Sequence, residues 1–208
     1  MTRQELALLP MRKYEGETHV IQSPDELTSA MKDIRSDHVV GLDTESRPAF
    51  KKGESYPPCL VQIATASAAY LFQLNRMDFA SAIREVMESP LIVKAGIGLA
   101  DDLSGLQGVF PFEPANILDL SLVAQKQGIN RSGVRNLAGQ LLGFRISKGA
   151  ATSNWTSPEL TQRQIDYAAT DAWVCRELFT CFQELEFLDE RGRPLPVQKG
   201  ASSEPNEK

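Results

Sequence analysis

Residues 39–46, VVGLDTES, pass from an apolar run directly into two acids. Val39, Val40, Gly41 and Leu42 read as a buried strand. Alternate side chains of an extended chain share a face, so Asp43 and Glu45 point one way and Thr44 the other. An isolated D-x-E pair is more often two solvent-facing acids at a strand end than a ligand pair. The deciding question is whether distant parts of the chain bring further acids to the same edge.

Working outward, THVIQ at 18–22 reads as a short strand, and Ser23-Pro24-Asp25-Glu26 as a helix start. There Ser23 is the N-cap, Pro24 takes the first helical position, and Glu26 reaches back. That helix is expected to run to about Ile34, and the strand of Asp43 to cover 38–44. Leu60–Thr65 and Ala69–Leu74 form a hairpin-like strand pair after a turn-rich stretch, Lys51–Pro58. Met77–Glu88 is an amphipathic helix, Leu91–Ala95 a buried strand, and Ala115–Leu118 a last strand. From Ser121 to about Leu188 the pattern is helical, broken at 128–132 and 143–157. Strands come first, with helices between and after them. This predicts an α/β domain, a mixed sheet covered by helices. Residues 1–17 form an N-terminal extension, 18–188 the domain, and 189–208 a tail expected to be disordered from its Pro, Gly, Ser and charge content.

The bulk numbers set limits. A chain of 208 residues with 42% hydrophobic content suits one domain with a real core. No apolar stretch is long enough to cross a bilayer, and the first residues carry no secretory pattern. Cys59, Cys175 and Cys181 form no C-x-x-C pair and leave one over in any disulfide scheme. A reduced, cytoplasmic setting is therefore expected, or a nucleoid-associated one in a bacterium. The net charge of -5 argues against indiscriminate binding to polyanions. No acid occurs between Asp119 and Glu159, a window that holds Lys126, Arg131, Arg135, Arg145 and Lys148. That window is either a solvated basic face or one that tracks phosphates.

Two more places offer acids. In KAGIGLADDLSGL, 94–106, a helix from Leu99 would bury Leu99, Leu103 and Leu106. Asp102 lies nearer that stripe than Asp101, which more naturally faces water. In LTQRQIDYAATDAWVCRELF, 160–179, Thr161 and Gln164 form a capping box with Leu160 and Ile165 as its staple. The stripe that follows is Tyr167, Val174, Leu178, Phe182 and Leu185, and Asp171 falls inside it. A carboxylate on a core-facing stripe costs several kcal/mol unless it is paired or binds a metal. A salt bridge alone would satisfy Asp171. Yet one strand end and two helices all offer carboxylates toward a shared edge, and their repulsion demands cations. Oxygen-only ligands suit Mg²⁺ or Mn²⁺ rather than zinc. His19 and His38 have no partner at ligand spacing. Two hard cations about 4 Å apart serve in-line attack on phosphodiesters.

These motifs resemble those of the DEDDy branch of the DnaQ-like 3′→5′ exonucleases. The first is VGLDTE, the second KAGIGLADDLSGL, and the third YAATDA with its Tyr-x-x-x-Asp. PCLVQIAT and the SNW before the third motif are similar as well, most of all to Werner-type domains, with ribonuclease D more distant. The likeness runs from about residue 18 to 185. It implies an RNase H-like fold and two-metal hydrolysis of the 3′-terminal phosphodiester of DNA or RNA, releasing 5′-mononucleotides. It implies that Asp43, Glu45, Asp102 and Asp171 bind two divalent cations, Mg²⁺ or Mn²⁺, and that Tyr167 orients the attacking water. Thr44, through its backbone, and Lys51, Lys52, Arg145 and Lys148 are candidate substrate contacts. The expected partner is a nucleic-acid 3′ end, with no membrane. A module that keeps the fold to bind nucleic acid without catalysis is the alternative. Loss of one acid would favour it, and none is lost.

Overall fold

A computed structural model describes residues 1–51 and 53–197. In chain order the elements are α1 (Arg3–Leu8), β1 (Glu17–Val20), α2 (Pro24–Ser36), β2 (Val39–Ser46), β3 (Pro58–Ala64), β4 (Ala68–Gln73) and α3 (Ala80–Glu88). Then come β5 (Val93–Gly96), α4 (Leu99–Val109), β6 (Ile117–Asp119), α5 (Leu120–Lys126), α6 (Val134–Leu137) and α7 (Gln162–Glu184). A π-helical turn, Ala138–Leu142, prolongs α6. The six strands form one sheet in the order β1-β4-β3-β2-β5-β6. Only β3 runs antiparallel to its neighbours; the β1–β4, β2–β5 and β5–β6 pairs are parallel. The expected mixed sheet under helices is the architecture found.

The period of two along β2 divides the molecule. Val40 and Leu42 enter one apolar layer with Ile34 of α2, Ile83 of α3 and Leu99 and Leu106 of α4. Val39 enters the other, with Val174, Leu178 and Phe182 of α7. Gly41 faces α7 at its closest approach, where an added Cβ would overlap the Ala172 carbonyl oxygen. The missing side chain lets helix and strand touch. Ala168, Ala169 and Ala172 are buried along the same contact. Arg176 of α7 meets Asp37, in the turn before β2, at 3.3 Å and fixes the helix lengthwise.

The structure adds detail to two expectations and corrects a third. Residues 1–17, read as an N-terminal extension, carry a short helix and a bridge to the domain. Thr2 and Glu5 close a capping box on α1, and Met11 bridges Arg145. The signal was in the sequence, a T-x-x-E, but its helix is only 6 residues long and has no buried residue of its own, so no apolar period marks it. The tail expected to be disordered from 189 folds back at its start. Asp189 N–H donates to the Arg193 carbonyl and Leu195 N–H to the Phe187 carbonyl, while Gly192 sits on Phe179. The rest of that expectation, 198–208, lies outside the described residues. Leu185 is 44% exposed, because α7 ends at Glu184 and Leu185 is its C-cap rather than part of its buried stripe.

Candidate active site

The extended conformation of β2 continues through Ser46, so both acids still belong to the strand. Asp43 and Glu45 share the face of Gly41, which α7 covers. α7 starts at the capping box the sequence predicts: Thr161 Oγ1 accepts from Gln164 N–H, and the Gln164 side chain accepts from Thr161 N–H. That start fixes the register that carries Asp171 over β2. Asp171 is 6% exposed, and carboxylate oxygens of Asp43, Glu45 and Asp171 lie within 4.8 Å of one another. Tyr167, one turn earlier, lines the same pocket as Asp171. Trp155, fully buried, stands 6.0 Å from the Tyr167 ring centre and limits where that ring can go.

Asp102 is placed differently. Its helix, α4, packs on the Leu42 side of the sheet, the side toward which Thr44 points. There Thr44 Oγ1 donates to Asp102 Oδ1 at 2.5 Å. The expected four-acid cluster is therefore three acids plus one held at its margin by a hydroxyl. Asp102 is half-buried and Asp101 exposed, as the helix-face argument expected. Two features set α4. Gly98 takes a left-handed conformation, φ +75°, in the sharp turn out of β5. Asp119 Oδ2, at the end of β6, accepts the Leu99 N–H at 3.1 Å. Asp119 escaped the sequence reading. Its position after a strand was legible, but its partner lies on a helix 20 residues earlier.

The electrostatics follow from crowding. Burial, then Asp171, Glu45 and Asp102, hold the Asp43 carboxyl well above the usual carboxylate range. Burial, then Asp171 and Asp102, push Glu45 to about 8. Burial lifts Asp171 to about 6, against the nearby Tyr167 hydroxyl and the Arg135 charge. Burial also raises Asp102, against the Thr44 hydroxyl. Such a group is costly as bare anions and needs protons or cations. The donors are oxygens alone, which fits a hard divalent ion. Cys175 lines the same pocket, but burial first and the acids after it keep its thiol protonated, so it offers no soft thiolate. Tyr167 is likewise pushed up by burial, then by Asp171 and Glu45, and stays a neutral phenol.

Among the candidate substrate contacts, Thr44 turns its side chain to Asp102. Lys51 is exposed, 3.9 Å from Glu54. Arg145 and Lys148 are exposed on the connection before α7, where the Arg145 backbone pairs with Pro10 and Arg12. Lys52 lies outside the described residues. The cations that line the crevice next to Tyr167 and Asp171 are instead Arg12, Lys13 and Arg163. Two of them come from the segment read as an N-terminal extension.

A mixed sheet under helices, with carboxylates gathered at the end of its central acid-bearing strand, is an RNase H-like fold. The 3′-5′ exonuclease family model matches residues 18–185, and the chain belongs to that family. It is 28% identical over 179 residues to ribonuclease D of Gluconacetobacter diazotrophicus, covering 84% of this chain and 44% of that protein. It is also 28% identical over 175 residues to the exonuclease/helicase WRN of Mus musculus, covering 81% of this chain and 12% of that one. The chain thus spans less than half of either relative. The Nibbler EXO domain of Aedes aegypti superposes with a TM-score of 0.74 at 21% identity, covering 83% of this chain and 91% of that one.

Proposed function

We propose that the protein hydrolyses the 3′-terminal phosphodiester of DNA or RNA, one residue at a time, and releases nucleoside 5′-monophosphates. The observation that carries this reading is the convergence of Asp43, Glu45 and Asp171 within 4.8 Å, with Tyr167 lining the same pocket. Asp43, Glu45 and Asp171, joined by Asp102, would hold two divalent cations, Mg²⁺ or Mn²⁺. When bound, such ions acidify the attacking water and offset the charge that builds on phosphorus and the leaving oxygen. The protein's own part is placement. Asp43 and Glu45 are fixed by a strand and Asp171 by a capped helix. Tyr167, neutral and backed by Trp155, orients the attacking water through its hydroxyl. Water loses a proton as it adds to phosphorus, the bond to the 3′ oxygen breaks, and that oxygen takes up a proton to become the new 3′-hydroxyl.

The test is a time course with 5′-labelled DNA and RNA in Mg²⁺ or Mn²⁺. The expected product is a ladder shortening from the 3′ end, abolished by EDTA and by a blocked 3′-hydroxyl. Full activity after exhaustive chelation, or equal decay of a 3′-blocked strand, would overturn the reading.

A further inference from the structure

Tyr167 and Asp171 line a second crevice besides the acid pocket, together with Arg163 from the same helix and Arg12, Lys13 and Ser147 from other segments. Arg12, Lys13 and Ser147 recur in a wider groove that reaches Tyr14 and Trp173. The acid pocket holds about 200 Å³ and the crevice about 280 Å³, each below the usual range for small-ligand sites. The outer groove holds about 760 Å³. A polymer cut at the acids must extend beyond them, and this groove is continuous with the cut.

Its chemistry changes along its length. Lys13 meets Asp166 at 2.7 Å, so its charge is already matched, and it pins the segment to α7. Arg12 and Arg163 have no carboxylate partner among the described residues. Arg12 lies over the Phe144 ring, 5.6 Å from its centre, and Arg163 rests against Gly149, which has no side chain to displace it. Farther out the charge falls, since Glu15 joins the lining. Aromatic surface takes over there: Tyr14 and Trp173 are half-buried with ring centres 5.8 Å apart, and Phe144 stacks on Trp173. Unmatched cations followed by partly open rings are what a single strand needs, phosphates on the first and bases on the second. The groove is also fixed rather than loose. Arg12 N–H donates to the Arg145 carbonyl at 2.9 Å and Tyr14 N–H to Thr170 Oγ1 at 3.0 Å. Arg12, Lys13 and Tyr14 all precede residue 18, where the family match begins.

We propose that residues 12–14 add a strand-binding groove to the exonuclease domain, in which Arg12 and Arg163 hold phosphodiesters and Tyr14 and Trp173 stack bases of the single strand leading to the cleaved end. This rests on the exonuclease reading, and the test separates the two. A short fluorescein-labelled single strand is titrated with the full chain in EDTA, so that cleavage plays no part, and anisotropy gives the affinity. The double variant Arg12→Ala, Arg163→Ala alters two exposed side chains, which spares the core. It is expected to bind about 10-fold more weakly or worse. The slope of log affinity against log salt should flatten by roughly 0.7 for each phosphate left without its cation. Tyr14→Leu is expected to weaken binding by about 5-fold or more and leave the slope as it was. With metal restored, the double variant should raise KM for the strand far more than it lowers kcat. Unchanged affinity and slope in the double variant, a parent protein that does not bind the strand, or displacement of the strand by polyglutamate as readily as by unlabelled strand would each overturn the groove. Failure of the exonuclease reading looks different: the parent binds in EDTA but leaves the strand intact in Mg²⁺ and Mn²⁺.

Discussion

Asp101 and Asp102 are neighbours with different surroundings, one in water and one bonded to Thr44. Asp102→Ala is expected to abolish turnover and Asp101→Ala to leave most of it, as read by initial rates on a labelled strand. The reverse ranking would mean that the wrong face of α4 meets the substrate. Tyr167 makes a second separable case. Its phenol is held neutral, so it positions rather than abstracts. Tyr167→Phe should keep the fold and the metal affinity by calorimetry and lose roughly 10- to 1000-fold in turnover. Asp171→Asn should lose metal as well. A wild-type rate for Tyr167→Phe, or a metal loss matching that of Asp171→Asn, would end the positioning role. At this scale the sequence was informative for the acids because each sits at a readable place, a strand end or a helix stripe. It was silent on Thr44 as the partner of Asp102, because that hydrogen bond spans 58 residues and joins two faces of different period. It was silent on Arg12 and Arg163 for a similar reason: an exposed cation carries no pattern until a neighbour gives it a direction.

Among the elements, α7 decides the site, and its fit to β2 depends on Gly41. Gly41→Ala would drive a methyl into the Ala172 carbonyl oxygen, which is backbone and cannot rotate away. Overpacking of this kind costs about 1–3 kcal/mol. Chemical denaturation should show that loss, and activity should fall with it, since Asp171 rides on the displaced helix. A stability equal to wild type would show that the two elements separate freely. Most elements were legible from caps and periods: Ser23 and Glu26, or Thr161 and Gln164, mark their helices within a residue or two. The π-helical turn at Ala138–Leu142 was not, because its extra residue per turn follows no sequence period. Its buried Gly139 sits under Leu6 of α1, a meeting that only the folded chain brings about.

For the whole molecule, the acid cluster makes stability depend on pH and on metal. Glu45 shifts from 4.5 to about 8, and Asp43 and Asp171 shift the same way. The folded state therefore binds these protons more tightly than the unfolded chain. That stabilisation is complete below about 4.5 and is lost as pH rises toward 8. Metal-free protein is expected to melt at falling temperature across this window, once acid effects elsewhere are matched with a Glu45→Gln control. Added Mg²⁺ or Mn²⁺ should restore the melting temperature most at the alkaline end, where no proton must be displaced. A flat profile in the metal-free protein, with no response to the ions, would contradict the crowding seen at the site. The connectivity has a further consequence, for the chain as it is made. Lys13 finds Asp166 across 153 residues. A ribosome adding roughly 5–20 residues per second needs on the order of 10–30 s to deliver that partner. Over that interval the acids of β2 have neither α7 above them nor the residue 12–14 segment beside them. On the proposed function, the nascent chain would lack a complete set of metal-binding acids until α7 is made, and so would not yet cut the nucleic acids around it.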